Sequence, residues 1–219
     1  MYDYPISQAS PLVNAILQTL LLFVCPFVIA ILLGGSLGMW LFFKRHPLFT
    51  GRARPLSAIR PLPYARAMIY LGLLPILLLL LLRIPGMAAG TAALVLLSLG
   101  ATVHLAFHIY SELFTLDESI LEMALASGLD HQAMIRRVLL PLGKNRIIHA
   151  ICETALFLLA METIAGYMVN LGLAGLMIWS GFIGTDILLL LLSILLLAPL
   201  FLLVGWLSSH FAIKCSKQS

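Results

Sequence analysis

Long runs of apolar residues dominate this chain and constrain most strongly what it can fold into. The first run extends from about Leu12 to Phe43 and contains no acidic or basic side chain. About 20 consecutive apolar residues are enough for one helix to cross a bilayer. Only 10% of the 219 residues are charged, whereas soluble domains are roughly 25% charged. We therefore expect a membrane protein, because a soluble fold of this size could not bury so much apolar surface.

Five apolar segments are long enough to serve as transmembrane helices, and together they use most of the chain. We predict an all-α, polytopic membrane bundle that forms a single domain over residues 1–219, with no room for a separate soluble catalytic domain. Gly34, Gly35 and Gly38 have the spacing that lets a neighbouring helix approach closely. The predicted spans cover about residues 12–43, 67–82, 87–111, 147–169 and 186–211.

The distribution of basic residues predicts the orientation of these spans. The Pro-rich segment from Lys44 to Arg66 carries six basic residues and no acidic one. With the N-terminus outside and the C-terminus in the cytosol, 12 of the 13 basic residues lie on the inner side, and only Arg83 lies outside. This agrees with the positive-inside rule. The net charge of +4 then reflects topology and contact with anionic lipid head groups, and we expect no nucleic-acid partner.

The polar loop at about residues 112–146 has the pattern of a helix, a glycine turn and a second helix. Ser119 and Glu122 have the spacing of a capping box, so the first helix is expected to begin before Glu122. Gly128 can end that helix with a positive φ. Asp130 can cap the second helix, and Pro141 is expected to stop its regular continuation. Spacing alone leaves open whether this loop packs on its own spans or docks on a partner.

The loop resembles the EAA signature of the inner-membrane permeases of ABC importers. The matching residues are Glu122, Ala124, Gly128 and Pro141, with Met123 at the middle position of the signature. The resemblance implies that the loop is a coupling helix that docks on a cytosolic ATP-binding subunit. ATP and Mg²⁺ would then be bound by that partner, whereas this chain would bind no cofactor and catalyse no reaction. The sequence itself contains no GxxxxGK[ST] motif for a nucleotide phosphate.

Most of the chain is similar to the small, five-span permease of methionine-type importers. The similarity includes Gln18 to Leu20 at the start of the first span and the Gly-rich residues 171–184, a candidate re-entrant or surface segment. It implies import of methionine or a related amino acid, a homodimer, an extracytoplasmic substrate-binding protein as partner, and a multi-pass location in the cell inner membrane. Leu116 to Glu118 and Asp130 depart from the family's usual residues. Alternatives are therefore an ABC permease for another small solute, a secondary carrier, or a scaffold with the same fold.

The resemblance and the polar residues of the spans together indicate candidate site residues. Glu162 and Asn170 are candidates for the translocation path or its gate, because ionisable groups within a span are functional suspects. Glu153 lies nine residues before Glu162 and therefore on the opposite side of the same helix; it could pair with Arg146. No catalytic or metal-binding residue is predicted. The residues expected to couple to the ATPase are Glu122, Ala124, Gly128, Met134, Arg137 and Pro141.

Three polar residues of the third span share one helical face. His104, His108 and Glu112 follow one another at intervals of four residues, which places them along one side. Such spacing could hold a metal ion, but it is equally typical of a polar seam against the first or fourth span. The sequence does not decide their role. The three cysteines, Cys25, Cys152 and Cys215, are too widely spaced to indicate a zinc site or a disulfide framework.

Overall fold

The structure is a computed structural model that describes residues 9–45, 76–77, 79–81, 83, 88–114, 116, 118–128, 131–180 and 187–216. Every element within these ranges is helical, which agrees with the predicted all-α class. Two π-helical turns, Ala30–Gly34 and Ile135–Leu139, are inserted in longer helices. The α-helices are α1 (Ala9–Ile29), α2 (Gly35–Arg45), α3 (Ala89–Leu113), α4 (Glu118–Ala126), α5 (His131–Met134), α6 (Leu140–Val169), α7 (Gly172–Ile178) and α8 (Ile187–Ser216).

Three helices of the described ranges are long and apolar enough to cross a membrane, so the chain is an integral membrane protein. They are Leu12–Lys44, Ala89–Leu113 and Arg137–Val169, and they confirm the first, third and fourth predicted spans. Most of the predicted second span, residues 67–82, lies outside the described residues. Helix α8 covers the predicted fifth span except Asp186, which lies outside the described residues, and its described apolar stretch is the shorter Ile194–Trp206. The number of five spans and their orientation stay predictions.

The first span packs against α3 through two of its three clustered glycines. A Cβ atom on Gly34 would lie 2.8 Å from the carbonyl oxygen of Thr102, and one on Gly38 would lie 2.9 Å from that of Ala106. Among the described residues, no atom lies within 4 Å of the same position on Gly35. Only a residue without a side chain lets the two backbones come so close. The predicted packing role is therefore confirmed for Gly34 and Gly38, whereas Gly35 makes no such contact within the described part of the chain.

The helix that leaves the polar loop does not stop at Pro141, contrary to the prediction. Residues His131–Met134 form α5, the π turn Ile135–Leu139 follows, and α6 continues from Leu140 to Val169. Within the π turn the Leu140 amide donates to the Ile135 carbonyl, five residues back. Pro141 lies in the first turn of the α-helix that follows the π turn. Proline has no backbone N–H, but an N–H in the first turn of an α-helix has no partner within that helix, so proline is tolerated at this position. The loop is thus joined to the fourth span by unbroken helix.

Candidate functional site

The predicted helix–glycine–helix pattern of the polar loop is present in the structure. The first helix, α4, begins at Glu118 and ends at Ala126, so it starts before Glu122 as expected. Gly128 follows with a φ of +73°, a conformation that costs little only for glycine. The Ser127 amide donates to the Met123 carbonyl at 3.1 Å and closes the turn. Asp130, the predicted cap of the second helix, lies outside the described residues.

One face of this loop packs on the bundle while the other is exposed. Leu121, Ala124, Met134 and Leu139 are all at most 8% exposed and belong to the main hydrophobic core. The exposed side carries Glu122, Met123, Arg137 and Pro141, with the Met123 side chain 66% exposed. The first alternative from the sequence, packing on the chain's own spans, therefore holds for one face, and the other face is exposed. Among the six predicted coupling residues, Ala124 and Met134 lie inside and would support the loop rather than touch a partner.

A partly exposed polar seam joins α3 to α6. His108 Nδ1 lies 3.0 Å from Glu153 Oε2, and His104 Nδ1 lies 3.3 Å from the Thr154 hydroxyl. Because that hydroxyl donates its proton to the Ala150 carbonyl, it accepts from His104, whose Nδ1 then carries a proton. The His104 ring also stacks on Phe157 with centroids 4.0 Å apart. Of the two roles that the sequence left open for His104 and His108, a metal site or a polar seam, these contacts correspond to a polar seam against the fourth span.

The predicted pairing of Glu153 with Arg146 is not present in the structure. Arg146 Nη1 donates to the main-chain carbonyl of Glu112 at 3.4 Å, so Glu153 pairs with His108 and not with Arg146. In the described part of the chain, no group of three or more His, Cys, Asp or Glu side chains is arranged to hold a metal ion.

Glu162 lies in a small pocket on the opposite side of α6 from Glu153. Its side chain is 5% exposed, and Oε2 has no hydrogen-bond partner among the described residues. The pocket is formed by α1, α6, α7 and α8. Its polar lining comes from Thr19 and Thr163, and its apolar lining includes Leu159, Leu171, Leu173 and Leu197. The structure thus places the predicted path residue in the interior, beneath α7.

Asn170 ends the fourth span and introduces the Gly-rich segment. It has a left-handed backbone with a φ of 56°, and the next residue, Leu171, donates its amide to the Gly166 carbonyl at 3.0 Å. This is a common way to end a helix. Its side chain is exposed, so Glu162 and Asn170 do not form one site. The Gly-rich segment was expected to be re-entrant or at the surface; its described part is the helix α7, with Gly172, Leu173, Ala174 and Gly175 buried.

Two side chains of α1 hold the start of α7, a contact that was not predicted from the sequence. The Gly172 amide donates to Gln18 Oε1 at 3.0 Å, and the Leu173 amide donates to Thr19 Oγ1 at 2.9 Å. We call this pair of bonds the α1–α7 clasp. Leu171 supplies no side-chain cap of its own, so the clasp satisfies amides that would otherwise be unpaired. A polar Gln-Thr pair inside an apolar run was the available signal, but its partner lies 154 residues away.

Two solved structures of a transporter resemble the chain along nearly its whole length. One is described as an inward-facing conformation of the MetNI methionine ABC transporter in a selenomethionine-soaked crystal form. It has a TM-score of 0.75 and 21% identity over 95% of this chain and 99% of the other. The native crystal form gives 0.74 and 20% over the same shares. No protein-family model and no curated protein sequence matches the chain. The resemblance stated from the sequence is therefore confirmed at the level of the fold, and the chain has the fold of a methionine ABC transporter permease.

Proposed function

We propose that this chain is the membrane-spanning permease subunit of an ATP-driven ABC importer. The observation that carries the proposal is its structural likeness, over 95% of its length, to a chain of a methionine ABC transporter. The EAA-like residues Glu122, Ala124, Gly128 and Pro141 support it independently, because they form a pattern of residue types that the fold of a helical bundle does not require. A secondary carrier would have no use for such a loop.

The geometry of the loop is suited to transmit force from a cytosolic partner. Glu122, Met123 and Arg137 are exposed on its outer side, while Leu121 and Met134 anchor its inner side in the core. The second half of the loop continues as helix through the π turn into α6. A displacement of the loop would therefore turn or tilt the fourth span as one body. ATP and Mg²⁺ would bind to a dimer of the partner ATPase, and this chain would perform no chemistry.

The substrate is proposed to be methionine or a related amino acid. This rests on the resemblance of the sequence to methionine-type permeases and on the description of the transporter that shares the fold. Such a bundle is too small to enclose a path alone, so two copies would place the path on a two-fold axis. An extracytoplasmic binding protein would deliver the substrate, and the complex would reside in the cell inner membrane. Another small solute is the alternative.

The docking of the loop on an ATPase is tested by co-purification. The tagged chain would be expressed with a candidate ATP-binding subunit from the same organism and purified in mild detergent. The native chain is expected to retain the ATPase. Gly128→Val is expected to lose it, because a β-branched residue is strongly disfavoured at a φ of +73°. Gly128→Asn is the matched control, since asparagine tolerates this conformation, and it should retain the ATPase.

Failure of the native chain to retain any candidate ATPase would overturn the permease proposal in favour of a carrier or scaffold. Retention by both Gly128 variants would show that docking does not depend on this turn. Once a complex is obtained, uptake of radiolabelled methionine into proteoliposomes, with the binding protein supplied, separates the methionine proposal from another solute.

A further inference from the structure

Glu162 is a buried carboxyl group that neither the packing of the bundle nor the coupling loop requires. Its side chain is 5% exposed, and Oε2 has no hydrogen-bond partner in the described part of the chain. An ionised carboxylate in such a place must be offset by a cation or by several donors, since otherwise the cost of removing it from water is prohibitive. The surroundings of Glu162 therefore decide its chemical state.

Among the described residues, no basic group faces Glu162 from the elements that form its pocket. The residues that line the pocket are leucines, an alanine, two threonines and Glu162 itself. The sequence of α7 has no ionisable side chain, and α8 has none from Ile187 to Trp206; in α1 only Cys25 is ionisable. On α6, Glu153 points to the other side and pairs with His108 of α3; His104 of α3 contacts Thr154 on that same side.

The hydroxyl beside Glu162 in the chain is suited to accept a proton rather than to donate one. Thr163 Oγ1 already donates its proton to the Leu159 carbonyl at 2.9 Å. Toward the pocket it therefore offers only lone pairs. A carboxylate, which can only accept, gains nothing from that oxygen. Burial and the lack of a cation among the described neighbours favour the neutral acid.

The α1–α7 clasp forms the cover of this pocket. Thr19, which accepts the Leu173 amide at 2.9 Å, lines the pocket together with Leu171 and Leu173. Gly172 lies against it with a φ of +67°, and a Cβ atom there would come within 2.6 Å of Thr19 Oγ1. The clasp therefore lies between this side of the Glu162 pocket and the solvent, and separation of α7 from α1 would widen the access of water to Glu162. The clasp would thus control the exchange of a proton between Glu162 and water.

We infer that Glu162 is a proton-binding site within the bundle, occupied in this conformation and closed to water by the α1–α7 clasp. Ionisation of the carboxyl needs water, and water enters when α7 separates from α1, so release of the proton and opening of the clasp favour each other. The inference does not depend on transport, because it concerns a carboxyl group, its pocket and its cover. If the chain is a permease, opening of this end would be linked to proton release.

Infrared spectroscopy of the purified full chain tests the state of Glu162 directly. At neutral pH the native protein is expected to show the carbonyl stretch of a protonated carboxylic acid. Glu162→Gln, which keeps the size of the side chain, should lose this band. Glu153→Gln is the matched control on the same helix, and it should keep the band. Absence of the band from the native protein, or its persistence in Glu162→Gln, would overturn the inference.

The role of the clasp is tested by the rate at which the same band shifts after transfer to D₂O. Thr19→Val removes the acceptor of the Leu173 amide and should speed the shift about tenfold, the factor expected for one lost hydrogen bond. Thr19→Ser retains the hydroxyl and should behave like the native chain. Equal rates in all three proteins would show that the clasp does not control access.

A measurement on the unmodified chain guards against a variant that fails to fold. A membrane-soluble carbodiimide reacts with protonated carboxyl groups in apolar surroundings and forms a stable N-acylurea. Mass spectrometry of the labelled peptides should place the adduct on Glu162 and not on the ion-paired Glu153. An adduct on Glu153 with none on Glu162 would contradict the inference.

Discussion

Gly34 and Gly35 are neighbours in the chain but differ in what surrounds them, and this contrast gives a test at the scale of single residues. Gly34→Ala would bring a Cβ atom to 2.8 Å from the Thr102 carbonyl, which belongs to the backbone and cannot easily move. We expect a loss of about 1–3 kcal/mol, the usual cost of overpacking. The measurement is equilibrium unfolding by a denaturing detergent.

Gly35→Ala serves as the control for that prediction, because no atom of the described residues lies within 4 Å of its added methyl group. Alanine favours a helix over glycine by up to about 1 kcal/mol, so this variant should be as stable as the native chain or slightly more so. Equal losses in both variants would show that α1–α2 and α3 are not in the close contact described here.

Gly172 is restricted twice, by its own backbone and by its neighbour. It has a φ of +67°, and a Cβ atom would lie 2.6 Å from Thr19 Oγ1. Gly172→Ala should therefore lose about 1–2 kcal/mol from the left-handed conformation alone, with a further loss from the contact. In a Thr19→Ala background, which already lacks the acceptor of the Leu173 amide, Gly172→Ala should cost only the first part. Gly205→Ala on α8, whose added methyl group has no described atom within 4 Å, should cost nothing in the same unfolding assay.

The structural role of a single residue could be predicted from the sequence where that role depends on its neighbours in the chain. Gly128 was predicted as a turn with positive φ, and the adjacent helix pattern sufficed for that prediction. Gln18 and Thr19 could not be assigned in this way, because their partners are main-chain amides 154 residues away. Met134 was predicted as a coupling residue, but its apolar side chain is only 1% exposed. Periodicity alone cannot tell which apolar residue of a short helix faces the bundle.

At the scale of elements, the π turn Ala30–Gly34 helps the first span keep one side buried along its length. From Leu22 onward the buried positions of the first span recur every four residues, through Pro26, Ala30, Gly34 and Gly38 to Phe42. A regular helix would drift about 40° at each such step. The extra residue of the π turn Ala30–Gly34 removes about 100° of this drift. Apolar patterns identify the span, but the position of an inserted π turn depends on packing against α3.

Deletion of Leu33 tests the role of that π turn. The deletion should convert the turn to regular helix and rotate α1 by about 100° relative to α2. Either the clasp residues of α1 or the glycines that face α3 would then lose their contacts. We expect a loss of roughly 3–5 kcal/mol, as for a large core defect, measured by detergent unfolding.

Leu33→Ala is the control for the deletion, because the Leu33 side chain is 54% exposed and its removal leaves the turn intact. This variant should lose less than about 1 kcal/mol, the range of most exposed substitutions. A deletion no more harmful than Leu33→Ala would mean that the extra residue does not set the register of the first span.

At the scale of the whole molecule, the contacts separate two ends of the bundle. Gln18, near the start of α1, bonds to Gly172 after the end of α6. The polar loop at about residues 112–146 lies with the opposite ends of these helices, where Arg146 bonds to the Glu112 carbonyl. Lys44 at the end of α2 also places Nζ 4.5 Å from the ring of Trp40, a pairing suited to a membrane interface. This separation agrees with the topology predicted from the basic residues. The contacts do not tell which end faces the cytosol; that part of the prediction rests on the distribution of charge alone.

Cysteine labelling decides that orientation. In a chain whose three native cysteines are replaced by alanine, Arg83→Cys should react with a membrane-impermeant maleimide added to whole cells or spheroplasts, because Arg83 is exposed and predicted to lie outside. Lys144→Cys, exposed beside the coupling loop, should react only after the membrane is opened. The opposite pattern would place the coupling loop outside, where no ATPase could reach it, and would overturn both the topology and the permease proposal. The expected pattern leaves the loop on the one side where ATP is available, so the labelling result bears on the proposed function as well as on the fold.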